Sequence, residues 1–175
     1  LEFYLISSGI GDILRSTPIA NEFTDIWASE FAYGADGGIS FPKKIVSFTD
    51  KTRYLFHIQK GLIGPQARGK PFDVNKKLKP EQIRIPINHM IFVGDGYTDI
   101  PCFSLVKKDG GVSIAVFDKN HGEKWGSAYQ FVHDGRVSNL LSANYSEQSD
   151  LSIFLGMAVK KLATDIAVSS GTYQG

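Results

Sequence analysis

Short apolar runs rich in β-formers recur along this chain, most followed by a turn signal and a stripe of helical period. Residues 3–6 predict a strand that ends in Ser7-Ser8-Gly9. A helix follows from Gly11, with Ile13 and Leu14 inward and a break near Pro18. Asp25–Tyr33 (DIWASEFAY) reads as a second strand, and the turn residues 34–38 (GADGG) close a hairpin with residues 39–41 returning. After Val46, Thr49 or Asp50 starts a helix over about 51–63, with Leu55, Ile58 and Leu62 on one face.

The stretch at 89–103, HMIFVGDGYTDIPCF, organises the second half. Residues 90–93 predict a buried strand, broken by Gly94-Asp95-Gly96, whose glycines allow a tight turn or close approach to a ligand. Thr98 or Asp99 caps the next helix, with Pro101 in its first turn, where a missing N–H is harmless. Beyond Gly110-Gly111, Val112–Phe117 reads as a strand and 118–125 as a loop or short helix. Residues 129–132 carry a strand pattern before the turn His133-Asp134-Gly135. Asp150 caps a helix to about residue 168, striped by Leu151, Leu155, Val159, Leu162 and Ile166, and 169–175 reads as a frayed tail.

Alternating strands and helices predict an α/β fold with a parallel sheet, here as a single domain over 1–175. Residues 61–88 form a loop-like insertion carrying Arg68, Lys70, Lys76, Lys77, Lys79 and Arg84 against Asp73 and Glu81. Phe72 is its sole aromatic, so it reads as a solvated surface loop rather than a nucleic-acid contact.

The 175 residues, 42% hydrophobic and 21% charged, are those of an ordinary globular protein. A net charge of +1 gives no general pull toward nucleic acid or membrane. The single cysteine, Cys102, excludes an internal disulfide, reads as a buried inert thiol and fits a cytoplasmic setting. No apolar run reaches membrane-spanning length, and the start lacks the features of a signal peptide. The four histidines have no metal-ligand spacing, and no dinucleotide fingerprint, Walker loop or nucleophile elbow occurs.

Candidate chemistry lies at the strand ends. Asp95 and Asp99 fall at the carboxyl end of a strand, the edge at which open α/β sheets bind ligands. Paired carboxylates suit Mg²⁺, which takes one or two of them and meets phosphate oxygens on its free side. The plainer alternative has Asp99 as a helix cap and Asp95 as a turn residue. Ser8 at a strand-to-helix turn can offer its hydroxyl to an anion, or serve as a simple N-cap. Lys51 stands in the first turn of its helix, where the dipole disfavours a cation. A phosphate partner would explain it, and so would a solvated pair with Asp50.

Ser8, Lys51 and Gly94-Asp95-Gly96-Tyr97-Thr98-Asp99, in that order, resemble the haloacid dehalogenase superfamily of phosphohydrolases, particularly its phosphoserine-phosphatase-like members. The resemblance covers about residues 3–117. It implies a Rossmann-like parallel sheet with helices on both faces and a Mg²⁺-dependent phosphatase acting on a small phosphorylated metabolite. It further implies that Ser8 and Gly9 bind the phosphate, that Lys51 neutralises it, and that Asp95 and Asp99 hold the metal.

The family's first motif, Asp-x-Asp on the central strand, is absent from this chain. Its first aspartate is the family's nucleophile, forming an aspartyl-phosphate. We therefore expect the central first strand, and a cap, to come from an upstream segment of the same protein. The slot left for that strand, between the strands at 3–6 and 90–93, should measure about 9–10 Å. These 175 residues alone should be inactive. Two rivals stand beside this reading: a non-catalytic phosphate- or Mg²⁺-binding module, and a receiver-like signalling domain with Asp95 as acceptor.

Overall fold

The structure is a computed structural model describing residues 1–70, 72–121 and 123–171, without the side chains of Glu123, Lys124 and Ser127. The chain forms two compact units, residues 1–85 and 86–175.

In the first unit, β1 (Tyr4–Ile10) runs parallel to β2 (Asp25–Tyr33), which pairs antiparallel with β3 (Ile39–Lys44). The hairpin therefore forms as its turn chemistry predicts, with Gly37 at φ 79° supplying the left-handed position. Helix α1 (Gly11–Arg15) is a single short turn, and its Ile13, expected inward, is 63% exposed. Helix α2 (Phe48–Lys60) starts three residues earlier than its sequence pattern. The cause is Ser47: it is the N-cap of a capping box in which its N–H and Oγ both donate to Asp50, at 2.9 and 2.7 Å.

The core of this unit is aromatic. Tyr4 stacks on Trp27 at 5.8 Å, Trp27 on Tyr54 at 5.1 Å, and His57 meets Tyr54 at 5.5 Å between ring centres. Residues 61–85 are a series of single turns, described apart from Pro71. Two of their carbonyls, Val74 and Lys76, accept from Lys60 Nζ, and Arg84 forks onto Glu2 while donating to the Tyr4 hydroxyl.

His57 makes this unit acid-sensitive. Burial lowers its affinity for a proton below the ordinary value of 6.5, and the Arg53 and Lys44 charges push the same way against Leu62 O and Asp25. The unfolded chain then binds that proton more readily than the folded one. Its contribution to stability is full above the ordinary value and lost as the pH falls below it. Urea unfolding of the wild type should weaken more steeply between neutral pH and pH ~5 than that of His57→Gln, given an ordinary His value near 6.5. Parallel slopes would refute this.

In the second unit, β4 (Ile91–Gly94), β5 (Val112–Phe117) and β6 (Asn139–Ser142) form a parallel sheet in the order β4-β5-β6. Successive side chains of β5 enter opposite layers. Ala115 packs with Phe103 of α3 (Ile100–Lys108) and with Ala128 and Phe131 of α4 (Glu123–His133). Ile114 and Val116 pack with Leu151 of α5 (Asp150–Ser169). This sheet is covered on both faces, which is why its strands read as near-continuous apolar runs.

Residues 129–132, read as a strand, belong to α4 instead. Ala128 and Phe131, three apart, are the buried pair, so the operative period is helical. The N-cap of α5 is Ser149, accepting from the Ser152 N–H at 3.2 Å, one residue before the expected Asp150. The tail reading for 169–175 largely falls on residues 172–175, outside the described residues. Cys102 is buried as expected. Among the described residues no helix is long and apolar enough to cross a membrane.

Candidate phosphate and metal-binding loops

The loop after β4 is built around a buried carboxylate. Gly94 ends the strand, residues Tyr97–Asp99 make one tight turn, and α3 begins at Ile100 with Pro101 in its first turn. Asp99 is 3% exposed, and its Oδ2 accepts from the N–H groups of Asp95 at 3.1 Å and Gly96 at 3.3 Å. The carboxylate therefore turns back to the loop amides, and no side-chain cap bond reaches forward into α3. Asp99 is the N-cap residue of α3 by position, and its side chain closes a capping box on the preceding turn by accepting from the Gly96 N–H.

Gly94 is required by that geometry. A Cβ there would stand 2.6 Å from Asp99 Cγ and 2.8 Å from Asp99 Cβ, closer than atoms can approach. Gly96 meets nothing within 4 Å, so its neighbourhood is open. Gly94→Ala should accordingly cost about 2 kcal/mol or more of unfolding free energy, with Gly96→Ala much milder. Equal midpoints for the two variants in urea would overturn this account.

Asp95 is exposed at the carboxyl end of β4, and its side chain makes no hydrogen bond or ion pair among the described residues. The sheet is parallel, so the segments after β5 and β6 lie on the same rim and bring Asp118 and Tyr145 there. The Tyr145 hydroxyl is pushed above the usual phenol range, first by loss of water around the oxygen and then by the negative charge of Asp95. The side chain as a whole is nonetheless 63% exposed. The hydroxyl remains a donor at neutral pH beside the carboxylate. Sequence reasoning missed Tyr145, because the strand that precedes it, β6, has only Leu140 and Leu141 as an apolar signal. Among the described residues no group of three or more His, Cys, Asp or Glu side chains is poised to hold a metal.

The first unit holds the other three candidates. Between Ile6 and Ile10 the register of β1 against β2 shifts, and Ser7, Ser8 and Gly9 occupy the irregular stretch. Ser8 is exposed, and its carbonyl accepts from Ser29 Oγ at 3.0 Å, which itself accepts from the Val46 N–H at 3.1 Å. The Gly9 N–H, a candidate phosphate donor, is given to Ser7 Oγ at 3.0 Å. Lys51 is the fourth residue of α2 and 6% exposed, so it is not a solvated lysine. Asp50, the partner offered for it, accepts from Ser47 and pairs with Arg53 at 3.1 Å. The structure thus joins Asp95 with Asp99 in one loop of the second unit, and places Ser8, Gly9 and Lys51 in the first.

The chain is 23% identical over 168 residues to an uncharacterized protein of Borreliella burgdorferi, a match covering 86% of this chain and 55% of that protein. The chain thus spans about half the length of that relative. No family model matches the sequence, and no solved structure matches the fold.

Proposed function

We propose that this chain is the core portion of a Mg²⁺-dependent phosphatase of the haloacid dehalogenase type, acting on a small phosphomonoester. The observation that carries the reading is the loop at 94–99. An exposed carboxylate stands at a parallel strand's end, on a turn whose shape a second, buried carboxylate fixes through two backbone amides.

The donors fit part of a magnesium site. Mg²⁺ asks one or two carboxylates of a protein and keeps waters and phosphate oxygens for its remaining positions. Asp95 would be the direct ligand, with Asp99 holding it in place; when bound, the ion offsets negative charge at the phosphate. Lys51 would supply a fixed cation for phosphate oxygens, and Ser8 a hydroxyl donor. Their work is positioning and charge stabilisation. In this reading the nucleophilic aspartate, which would carry the phosphoryl group as an aspartyl-phosphate, would come from an Asp-x-Asp motif that the 175 residues do not hold. The protein would be cytoplasmic in this reading.

The test is an aryl-phosphate assay of the full-length gene product with and without Mg²⁺, repeated with Asp95→Asn and Asp99→Asn. Magnesium-dependent turnover that both substitutions depress supports the reading, and turnover unchanged in both excludes the metal role. If the full-length protein binds Mg²⁺ through Asp95 yet has no turnover, the alternative holds: a phosphate- or Mg²⁺-binding module.

A further inference from the structure

The first unit contains a cavity of about 430 Å³ lined by neither Ser8 nor Lys51. Five cationic side chains line it, Arg15, Lys43, Lys44, Arg53 and Arg68, against two carboxylates, Asp25 and Glu30. Both carboxylates are occupied. Asp25 accepts from the backbone N–H groups of Ile26 and Gly64 at 2.8 and 2.7 Å. Glu30 is shared between Arg15 at 3.1 Å and Lys44 at 3.9 Å. Lys43 and Arg68 make no ion pair among the described residues. The wall therefore carries a surplus of positive charge that its own acids do not offset.

Two of these cations are held in place by aromatic packing. The Arg53 guanidinium lies 5.0 Å from the Tyr54 ring centre and Lys44 Nζ 5.4 Å from it. Arg53 donates to the Tyr54 hydroxyl at 3.1 Å and pairs with Asp50, yet its Nε is buried without a hydrogen-bond partner among the described residues. The Arg53 side chain as a whole is 41% exposed, so its charge reaches the cavity although the Nε itself is shut off. Trp27 already stacks with Tyr4 and Tyr54, so the aromatic ladder holds the cations rather than offering a face to a planar ligand.

We propose that this cavity is a binding site for the dianionic phosphate group of a small molecule, separate from the Ser8 and Lys51 site. A dianion matches the charge surplus, and guanidinium forks match phosphate oxygens in pairs. The volume falls within the range of about 300–1,000 Å³ usual for small-molecule sites and exceeds what a bare phosphate fills. A phosphate ester uses that space better than the free ion. The site stands or falls independently of any catalysis at the strand ends.

The experiment titrates the full chain, at fixed ionic strength, with inorganic phosphate, glycerol phosphate and succinate, followed by calorimetry and phosphorus NMR. Saturable binding of both phosphates above succinate is expected; a tighter glycerol phosphate identifies an ester site, and equal affinities a free-phosphate site. Arg53→Gln should weaken binding roughly tenfold or more, because one of the five cations that line the cavity is lost. That variant disturbs the Asp50 pair, so the exposed double variant Lys43→Gln, Arg68→Gln provides a second measurement, with a similar loss expected. Absence of saturable phosphate binding overturns the proposal. So does binding that survives both sets of substitutions, or that disappears in Ser8→Ala alone. None of these results bears on turnover by the full-length protein.

Discussion

On the proposed phosphatase reading, Asp95→Asn is expected to reduce magnesium-dependent turnover of the full-length protein by at least about a hundredfold while leaving its unfolding unchanged. Asp99→Ala should instead damage both. The two carboxylates differ in what surrounds them. Asp95 is exposed and its side chain makes no hydrogen bond or ion pair among the described residues, so folding depends little on its charge. Asp99 is buried, and its removal strands the amides of Asp95 and Gly96. Two hydrogen bonds to a charged acceptor, one of them long, put that cost at about 2–4 kcal/mol. Paired urea titrations and Mg²⁺ titrations of the two variants separate the roles. Normal stability in Asp99→Ala would show that the turn is not held by this carboxylate, and equal Mg²⁺ affinity in Asp95→Asn would remove that side chain from the metal site.

Where local chemistry decided the conformation, the sequence was sufficient. The hairpin of β2 and β3 follows from GADGG between two runs of β-formers, and β5 from an apolar run bounded by Gly110-Gly111. Two elements needed long-range information. β6 is a strand because Leu140 and Leu141 fill opposite layers beside β5, and four residues carry too little pattern to announce it. α4 contains a dense run of β-formers and Gly126, both discouraging for a helix, yet burial of Ala128 and Phe131 against Ala115 overrides them. The same division applies to the sites. The Asp95 loop is contiguous, so the turn that places its two carboxylates was readable; Lys51 was marked by its helix position alone, and its burial was not. The cationic cavity joins residues from 15 to 69, and no local window contains it. Arg68, read as part of a solvated loop, is one of its walls.

Phe103→Ala should cost the second unit about 3–5 kcal/mol, a large share of the 5–15 kcal/mol that holds an ordinary domain together. Phe103 is fully buried at 0% exposure and meets Phe92 of β4 edge-on at 5.5 Å and Phe131 of α4 at 5.7 Å. It therefore fastens both helices of one layer to the sheet, and α3 follows directly from the turn that Asp99 organises. Truncation leaves a void between three elements whose backbones are fixed by the parallel ladder, so collapse can recover only part of the loss. Phe103→Leu keeps most of the volume and should cost about 1–1.5 kcal/mol, chiefly the lost edge contacts. The ratio of the two losses is the discriminating quantity. If urea midpoints show Leu as damaging as Ala, the aromatic contacts rather than the filled space secure this layer. If neither variant shifts the midpoint, the layer assigned to α3 and α4 is not packed as described.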